Sequence, residues 1–408
     1  MTASPSSPTP RPGPLRGIRV LDFTAMLAGP HCTRLMADLG AEIIKVEGLE
    51  GDLIRGRAPL REGNSTYFGA LNCGKKSLAI DLKSAAAKAI IYDLAKLCDV
   101  VVENFRPGVM ARLGFNYVTL ATHNPKLVYC SISGYGQSGP GATRAAYAPI
   151  VHAASGYDAA NLSYQIEQDY PASTGIFIAD ILSGAYAFGA IQAALVHRER
   201  TGQGQAVDVS LMDSMLNLMV FECQEAQFPS QQKRPVYVPM KTKDGHVIIA
   251  PISQKNFEQM AQAMERPDLK ADARFSTGPA RVQHWTELMT IMEQWTEQRT
   301  GIEIEAIMDA NSVPCSRFLT VADAMKDPQL AERGSLSLIG DKAGDFLVPN
   351  APFQFLATPA AAGPSVSGLG ADSMDVLSGL LGFSGEKVEK LRRDGVLLRS
   401  NNGSQAHD

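Results

Sequence analysis

The stretch "STGIFIADILSGAYAFGAIQAAL", Ser173 to Leu195, carries one acidic or basic side chain, Asp180, in a run that is otherwise apolar or small. Burying a carboxylate without a partner is costly, so the placement asks for a reason. As a helix N-cap, Asp180 accepts a main-chain N–H bond and stabilises the helix start by about 1 kcal/mol. As a nucleophile it suits the same place, because a helix N-terminus keeps the carboxylate ionised while apolar surroundings exclude water. The two roles are compatible. Gly184 and Gly189, on the same predicted helix, let a second backbone or a ligand approach, or serve helix packing alone. Lys83, Arg106 and Arg112 form a second group. Each is either an ordinary solvated loop cation or part of a site for a phosphorylated nucleotide.

Other chemistries find little support. The six cysteines, Cys32, Cys73, Cys98, Cys130, Cys223 and Cys315, form no CxxC pair, and the seven histidines form no HxxxH pair, so no metal ligand set and no disulfide framework is indicated. No Walker A and no GxGxxG motif occurs. His31, early in the first predicted helix, has no partner in sequence and reads as structural. With 38 basic against 42 acidic residues, no global field favours nucleic acid or an anionic membrane, and an anionic ligand needs a local basic site. The opening "MTASPSSPTPRPGPL" lacks an apolar signal core, and no run approaches the roughly 20 apolar residues of a membrane span. A cytoplasmic protein without a permanently bound cofactor is the expectation.

The elements that must position these residues follow from periodicity. "GIRVLDF", "AEIIKVEG", "KSLAIDL", "DVVVENF", "KLVYCSIS" and "AVDVSL" read as strands, and "AGPHCTRLMADLG" and "SAAAKAIIYDLAKLC" as the first helices between them. Repeated βαβ units imply an α/β fold with a parallel sheet covered by helices. In such sheets ligands bind beyond the carboxyl ends of the strands, where "TAMLAGP", "DLKS", "NFRPGVMARLG" and "SGYGQSGP" should converge. A helix from about Asp180 to His197 follows. Residues 1–15 read as a disordered tail, 16–225 as the large domain, 226–330 as a linker and a smaller α+β domain, and 331–408 as a segment returning to the large domain.

Taken together, "GIRVLDFTAMLAGPHCTRLMADLGAEIIKVEGLEGDLIR", "NCGKKSLAIDLKS", "DVVVENFRPGVMARLGFNY", "LVYCSISGYGQSGPG" and "IADILSGAYAFGAIQAALVHRERTGQGQAVDVSLMDSML" resemble the class III CoA-transferases, the group of formyl-CoA transferase and carnitine CoA-transferase. The resemblance runs from about Gly17 to Leu398. It implies a Rossmann-like CoA-binding large domain, a smaller domain closing over the acyl site, and an interlocked homodimer. It implies that Asp180, in "FIADILSG", is the catalytic nucleophile, passing through an acyl anhydride and a CoA thioester. Carried over by position, Met26, Leu27, Ile80, Lys83, Asn104, Phe105, Arg106 and Arg112 would hold coenzyme A, and Tyr147 would lie near the thioester. The partners implied are an acyl-CoA and a small carboxylic acid, with coenzyme A as substrate and product.

Three departures matter. Gly48 stands where formyl-CoA transferase-like members carry an arginine, with Arg55 or Arg57 as candidates to compensate. The glycine-rich loop of the formyl group has no counterpart between Phe228 and Asp244. "YAPIVHAASG" replaces a pattern in which "YD" and a glutamine precede "ASG". All three point away from formate or oxalate. An α-methylacyl-CoA racemase shares the resemblance but needs a His-Asp pair where this chain has Tyr147 and Ala148, with His152 displaced. A non-catalytic acyl-CoA binder would use Asp180 only as a cap.

Overall fold

The computed structural model describes residues 13–165, 168–230 and 234–399, which fall into two compact units, one of residues 1–224 with 332–408 and one of residues 225–331. Most of the expected N-terminal tail lies outside the described residues. Its last residue, Leu15, is described: it is buried, and its N–H donates to the Leu39 carbonyl at 2.9 Å, so the ordered chain begins earlier than residue 16.

The first unit is built on a six-stranded sheet of β1 (Arg19–Asp22), β2 (Glu42–Glu47), β3 (Lys76–Ala79), β4 (Val100–Glu103), β5 (Val128–Ser133) and β6 (Ala206–Ser210). Every neighbouring pair is parallel, and the spatial order is β3-β2-β1-β4-β5-β6. That is the doubly wound order, in which the chain reverses its direction of travel between β1 and β4 and leaves a crevice at their carboxyl ends. β4 and β5 are buried at every position, as central strands covered on both faces must be, and their sequences VVVE and VYCSIS read accordingly.

Helix α1 (Ala28–Asp38) accommodates Pro30 in its first turn, where a missing N–H costs nothing. Helices α2 (Thr66–Asn72), α3 (Ala85–Leu97), α4 (Val109–Leu113), α5 (Tyr117–His123), α6 (Ala148–Ala154) and α7 (Tyr157–Ser163) follow. The longest is α8 (Ile178–Thr201), which buries Ala179, Ser183, Ala187, Ile191, Ala194 and Arg198 at three- and four-residue spacing. Contrary to the sequence reading, α8 is long and apolar enough to cross a membrane by length and composition; here it lies against α1 as a helix of the packed unit. Helices α9 (Leu211–Leu218) and α10 (Val220–Glu225) divide what the sequence read as one helix, and Met219 sits between them.

Residues 332–399 return to this unit, with a hairpin of Leu336–Asp341 and Gly344–Pro349 and helices Ser373–Leu381 and Gly385–Arg393. Val376, Leu377 and Val388 join the core over Ile90, Leu94 and Leu78. The second unit has a three-stranded antiparallel sheet, Cys315–Arg317, His246–Ile249 and Met240–Lys241, under helices that include Gln254–Ala263, Trp285–Thr296 and Gly301–Ala310. Ser253 and Thr300 each open a helix with a capping box. Phe257, Phe275, Leu288 and Met308 are wholly buried in its core.

Candidate active site

Asp180 is the third residue of α8, not its cap. The cap position belongs to Phe177, which offers no side-chain bond to the helix. The carboxyl is half-buried, and burial pushes its pKa up to about 6. Burial is the cause of that shift, since it disfavours the charged form. The first-turn N–H groups are accounted for in a particular way. Ile178 donates to the Ile176 carbonyl at 3.0 Å, Ile181 to the Phe177 carbonyl at 3.2 Å, and Ala179 to Nε2 of His152 at 3.1 Å.

Glycine at position 184, one turn beyond Asp180, is a packing requirement. A Cβ there would lie 2.5 Å from the Ala28 carbonyl oxygen and 3.2 Å from Cδ2 of His31, so α1 and α8 touch backbone to backbone. At Gly189 nothing lies within 4 Å, and no close approach explains that glycine. His31 is held neutral by burial, helped by Arg34 and Lys75, with its pKa lowered to about 4.

The loop between β1 and α1 is held by buried charge. Met26 adopts φ 67, an uncommon conformation for a non-glycine residue, and its N–H reaches both Asp52 carboxylate oxygens at 3.2 Å. Asp52 pairs with the buried Lys45 ammonium at 3.1 Å, and Lys45 also donates to the Thr24 carbonyl at 2.7 Å. One layer deeper, Asp22 accepts from the Thr24 N–H at 2.9 Å, from the Thr33 hydroxyl at 2.7 Å and from Lys75 at 3.2 Å. Burial works against the Asp22 carboxylate, but Lys75, Lys45 and the two hydroxyls bring its pKa below the ordinary value. Burial lowers the Lys75 pKa to about 8. The chain spends four buried charges on the shape of one loop.

Across the crevice, the Ala25 N–H donates to Oδ1 of Asn104 at 2.9 Å, and the Asn104 amide returns a bond to the Ala25 carbonyl at 2.8 Å. The loops after β1 and β4 are thus joined at the switch point. The Phe105 N–H is held by Glu103, whose pKa burial raises to about 7. Arg106, Arg112 and Lys83 are exposed. Ile80 is wholly buried with its N–H on the Glu47 carbonyl, so its side chain is not available to a ligand and the sequence expectation narrows to its main chain. Leu27 is likewise buried, packing with Ile54, Phe68 and Leu71. Tyr147 caps α6 without a side-chain bond and is 64% exposed. A cavity of about 330 Å³ opens beside the β4–β6 ends, lined by Glu103, Arg106, Tyr129, Ser131, Gln137 and Asp208 among others; Arg106 is the basic crevice residue in its wall.

Residues 15–373 match the sequence profile of CoA-transferase family III. The chain belongs to that family. This CoA-transferase is 30% identical to a succinyl-CoA:glutarate CoA-transferase of Mus musculus, over 97% of this chain and 93% of the relative. It is 34% identical to a succinyl-CoA:mesaconate CoA-transferase of Haloarcula marismortui, over 82% and 87%. Among solved structures, a CAIB/BAIF family protein from Brucella suis superimposes with a TM-score of 0.79 at 32% identity, covering 91% of this chain and 100% of that one.

Two residues of this CoA-transferase escaped the sequence reading. Tyr67 on α2 packs against the Leu27 cluster, and its pKa is raised by burial and then by the charge of Asp180, which acts on the phenol through space. His152, discounted as a displaced base, accepts the Ala179 N–H and is wholly buried. No signal marked Tyr67; the "H" before "AASG" marked His152 only as an oddity. Of the two candidates to replace the missing arginine at Gly48, Arg55 is committed: it pairs with Glu47 at 2.7 Å, bonds the Ser367 carbonyl and lies over the Phe68 ring. Arg57 is exposed and its charge acts on Tyr67.

Proposed function

We propose that this CoA-transferase moves coenzyme A from an acyl-CoA thioester to a free carboxylic acid with Asp180 as nucleophile. A carboxylate oxygen of Asp180 adds to the thioester carbonyl; the C–S bond breaks, leaving an aspartyl acyl anhydride and CoA thiolate. The thiolate attacks the Asp180 carbonyl, the donor acid leaves as carboxylate, and an aspartyl CoA thioester remains. The acceptor carboxylate then attacks this thioester to give a second anhydride and thiolate. Attack of the thiolate on the acceptor carbonyl releases the new CoA ester and restores Asp180.

The observation that carries this reading is a carboxyl with its pKa raised to about 6 by burial, in the first turn of a helix that one turn later meets the start of α1 at Gly184. Such a group is ionised at neutral pH yet poorly hydrated, the state a carboxylate nucleophile needs. Met26, Leu27, the Ile80 main chain, Lys83, Asn104, Phe105, Arg106 and Arg112 hold coenzyme A, the cations meeting its phosphates. Tyr147 and Tyr67 flank the acyl group. Relatives named for succinyl-CoA with glutarate or mesaconate support a small dicarboxylic acid as substrate.

His152 spends its Nε2 lone pair on a main-chain N–H, so it does not serve as the second base a racemase needs. The active form is a homodimer with interlocked chains. Ile181 and Tyr186 on α8 and Leu216, Leu218 and Val220 beyond it leave apolar surface for a second copy to cover. The six free thiols suit the reducing cytoplasm.

The test is Asp180→Ala with mass detection of CoA esters: exchange is abolished while CoA affinity stays within a few-fold. Hydroxylamine captures acylated Asp180 in the unmodified enzyme. Turnover retained by the alanine variant refutes the assignment.

A further inference from the structure

We infer that His152 is a positioning residue for Asp180: its neutral imidazole, reaching over from α6, supplies the N-terminal cap that the α8 sequence lacks and so fixes where the nucleophile stands. The inference rests on the reading of Asp180 as nucleophile.

The geometry starts with the unfilled end of α8. Helices need partners for their first N–H groups, and the side chain of Phe177 at the cap position has no oxygen to offer them. Ile178 and Ile181 find carbonyls within the incoming segment, and Ala179 takes Nε2 of His152 at 3.1 Å, across 27 residues of sequence. Residues Gly175 to Phe177, which lead into the helix, are exposed. Ile178 and Ala179 pack into the core of the unit, and the bond from α6 adds the side-chain partner that holds the main chain of the turn carrying Asp180.

The protonation state follows from the donor. An N–H pointing at Nε2 requires a lone pair there, so the ring proton sits on Nδ1. Burial holds the pKa of the ring below its ordinary value, and the Asp158 carboxylate on α7 pulls the other way. The Tyr157 ring on α7 lies 5.5 Å away between centroids, and α8 and α9, which also pack against α6, carry Asp180 and the exposed Asp213 in their first turns. His152 Nδ1 is buried and has no hydrogen-bond partner among the described residues. An unpaired buried donor is destabilising, a penalty that a leucine or phenylalanine in the same space would avoid. The imidazole is worth that cost only if its other nitrogen does something an apolar side chain cannot. Accepting the Ala179 N–H is that task. It also explains why this chain tolerates a histidine where the resemblance places a glutamine, whose amide oxygen can accept the same bond.

Acid pH then acts twice. Protonation of Asp180 removes the nucleophile, and protonation of His152 at Nε2 sets N–H against N–H and loosens the turn. The experiment compares His152→Ala and His152→Gln with the unmodified full-length enzyme, following CoA exchange against pH, KM for the CoA ester and Tm. The expected result is a kcat for His152→Ala lowered at least tenfold with KM within about threefold, and a kcat for His152→Gln restored to within about threefold. The acid limb of the unmodified enzyme falls with a limiting slope steeper than one proton. His152→Gln keeps a single-proton limb near the pH at which Asp180 titrates. Unchanged kcat in His152→Ala overturns the inference, as does a folded His152→Gln as inactive as the alanine variant. If His152→Ala does not fold, His152→Gln decides alone: retained exchange with a single-proton limb supports the inference, and lost exchange overturns it. Asp180→Ala separates the two levels. Exchange surviving there refutes the nucleophile itself; exchange lost there but untouched in both His152 variants refutes only the positioning role.

Discussion

As the proposed nucleophile, Asp180 would have to lose its proton before attacking a thioester, and its surroundings make that loss harder than in free solution. Exchange is therefore expected to fall as pH drops through about 6, read from kcat between pH 5 and 8. The same shift has a stability consequence with a definite sign. The carboxyl titrates near 3.8 in the unfolded chain and about 6 in the folded one, so the folded state binds the proton more tightly between those values. Stability contributed by the neutral form is lost as pH rises through that window. Asp180→Asn should therefore melt higher than the unmodified protein above pH 7 and equally at pH 4, while catalysing nothing. Lys83→Ala and Arg112→Ala belong to the same scale: each should raise KM for CoA esters about tenfold and leave kcat nearly unchanged, the loss of one charge-assisted contact in ground and transition state alike. At this scale the sequence singled out the lone carboxylate and three basic loop residues, of which Arg106 lines the cavity beside the β4–β6 ends. It placed Asp180 two residues too early in its helix, because the apolar "GIF" before it gave no cap residue to mark the true start.

The elements show why the site holds its shape. Helix α8 meets α1 at Gly184, where an added methyl would press on the Ala28 carbonyl at 2.5 Å, and Ala28 follows the loop of Met26 and Leu27. Gly184→Ala should cost about 1–3 kcal/mol in chemical denaturation and lower kcat as well, since separating the helices moves Asp180 away from that loop. The Lys75–Asp22 and Lys45–Asp52 pairs are buried to within 1% on all four side chains. Lys75→Met should destabilise by about 3–5 kcal/mol, because Asp22 is left charged and unpaired where water cannot reach it. Strand and helix periodicity announced α1, α3 and α8. It did not announce α2, α6 and α7, which are about two turns each and too short for a periodic signal. Tyr67 and His152 sit on two of those short helices; the sequence reading did not single out Tyr67, and it set His152 aside as a displaced base.

For the molecule as a whole, the apolar surface left along α8, α9 and α10 is the feature that one chain does not satisfy. Sedimentation equilibrium should give twice the chain mass, and Val220→Glu with Leu216→Glu should shift the population toward monomer with loss of exchange. A monomeric, fully active enzyme would remove the dimer from the functional reading. The parallel sheet of βαβ units, the near balance of charge and the one carboxylate in an apolar helix were legible in the sequence, since each depends on local composition and periodicity; the order of the strands was read only from the structure. Tertiary structure alone decided that Asp52 and Asn104 hold the two crevice loops, that the charge of Asp180 reaches Tyr67, and that a histidine 27 residues away accepts a first-turn N–H of the helix that carries Asp180. Those contacts join residues far apart in the chain, and a bond between distant residues leaves no periodic trace in a single sequence; it exists only once packing has excluded the water that would otherwise compete for it.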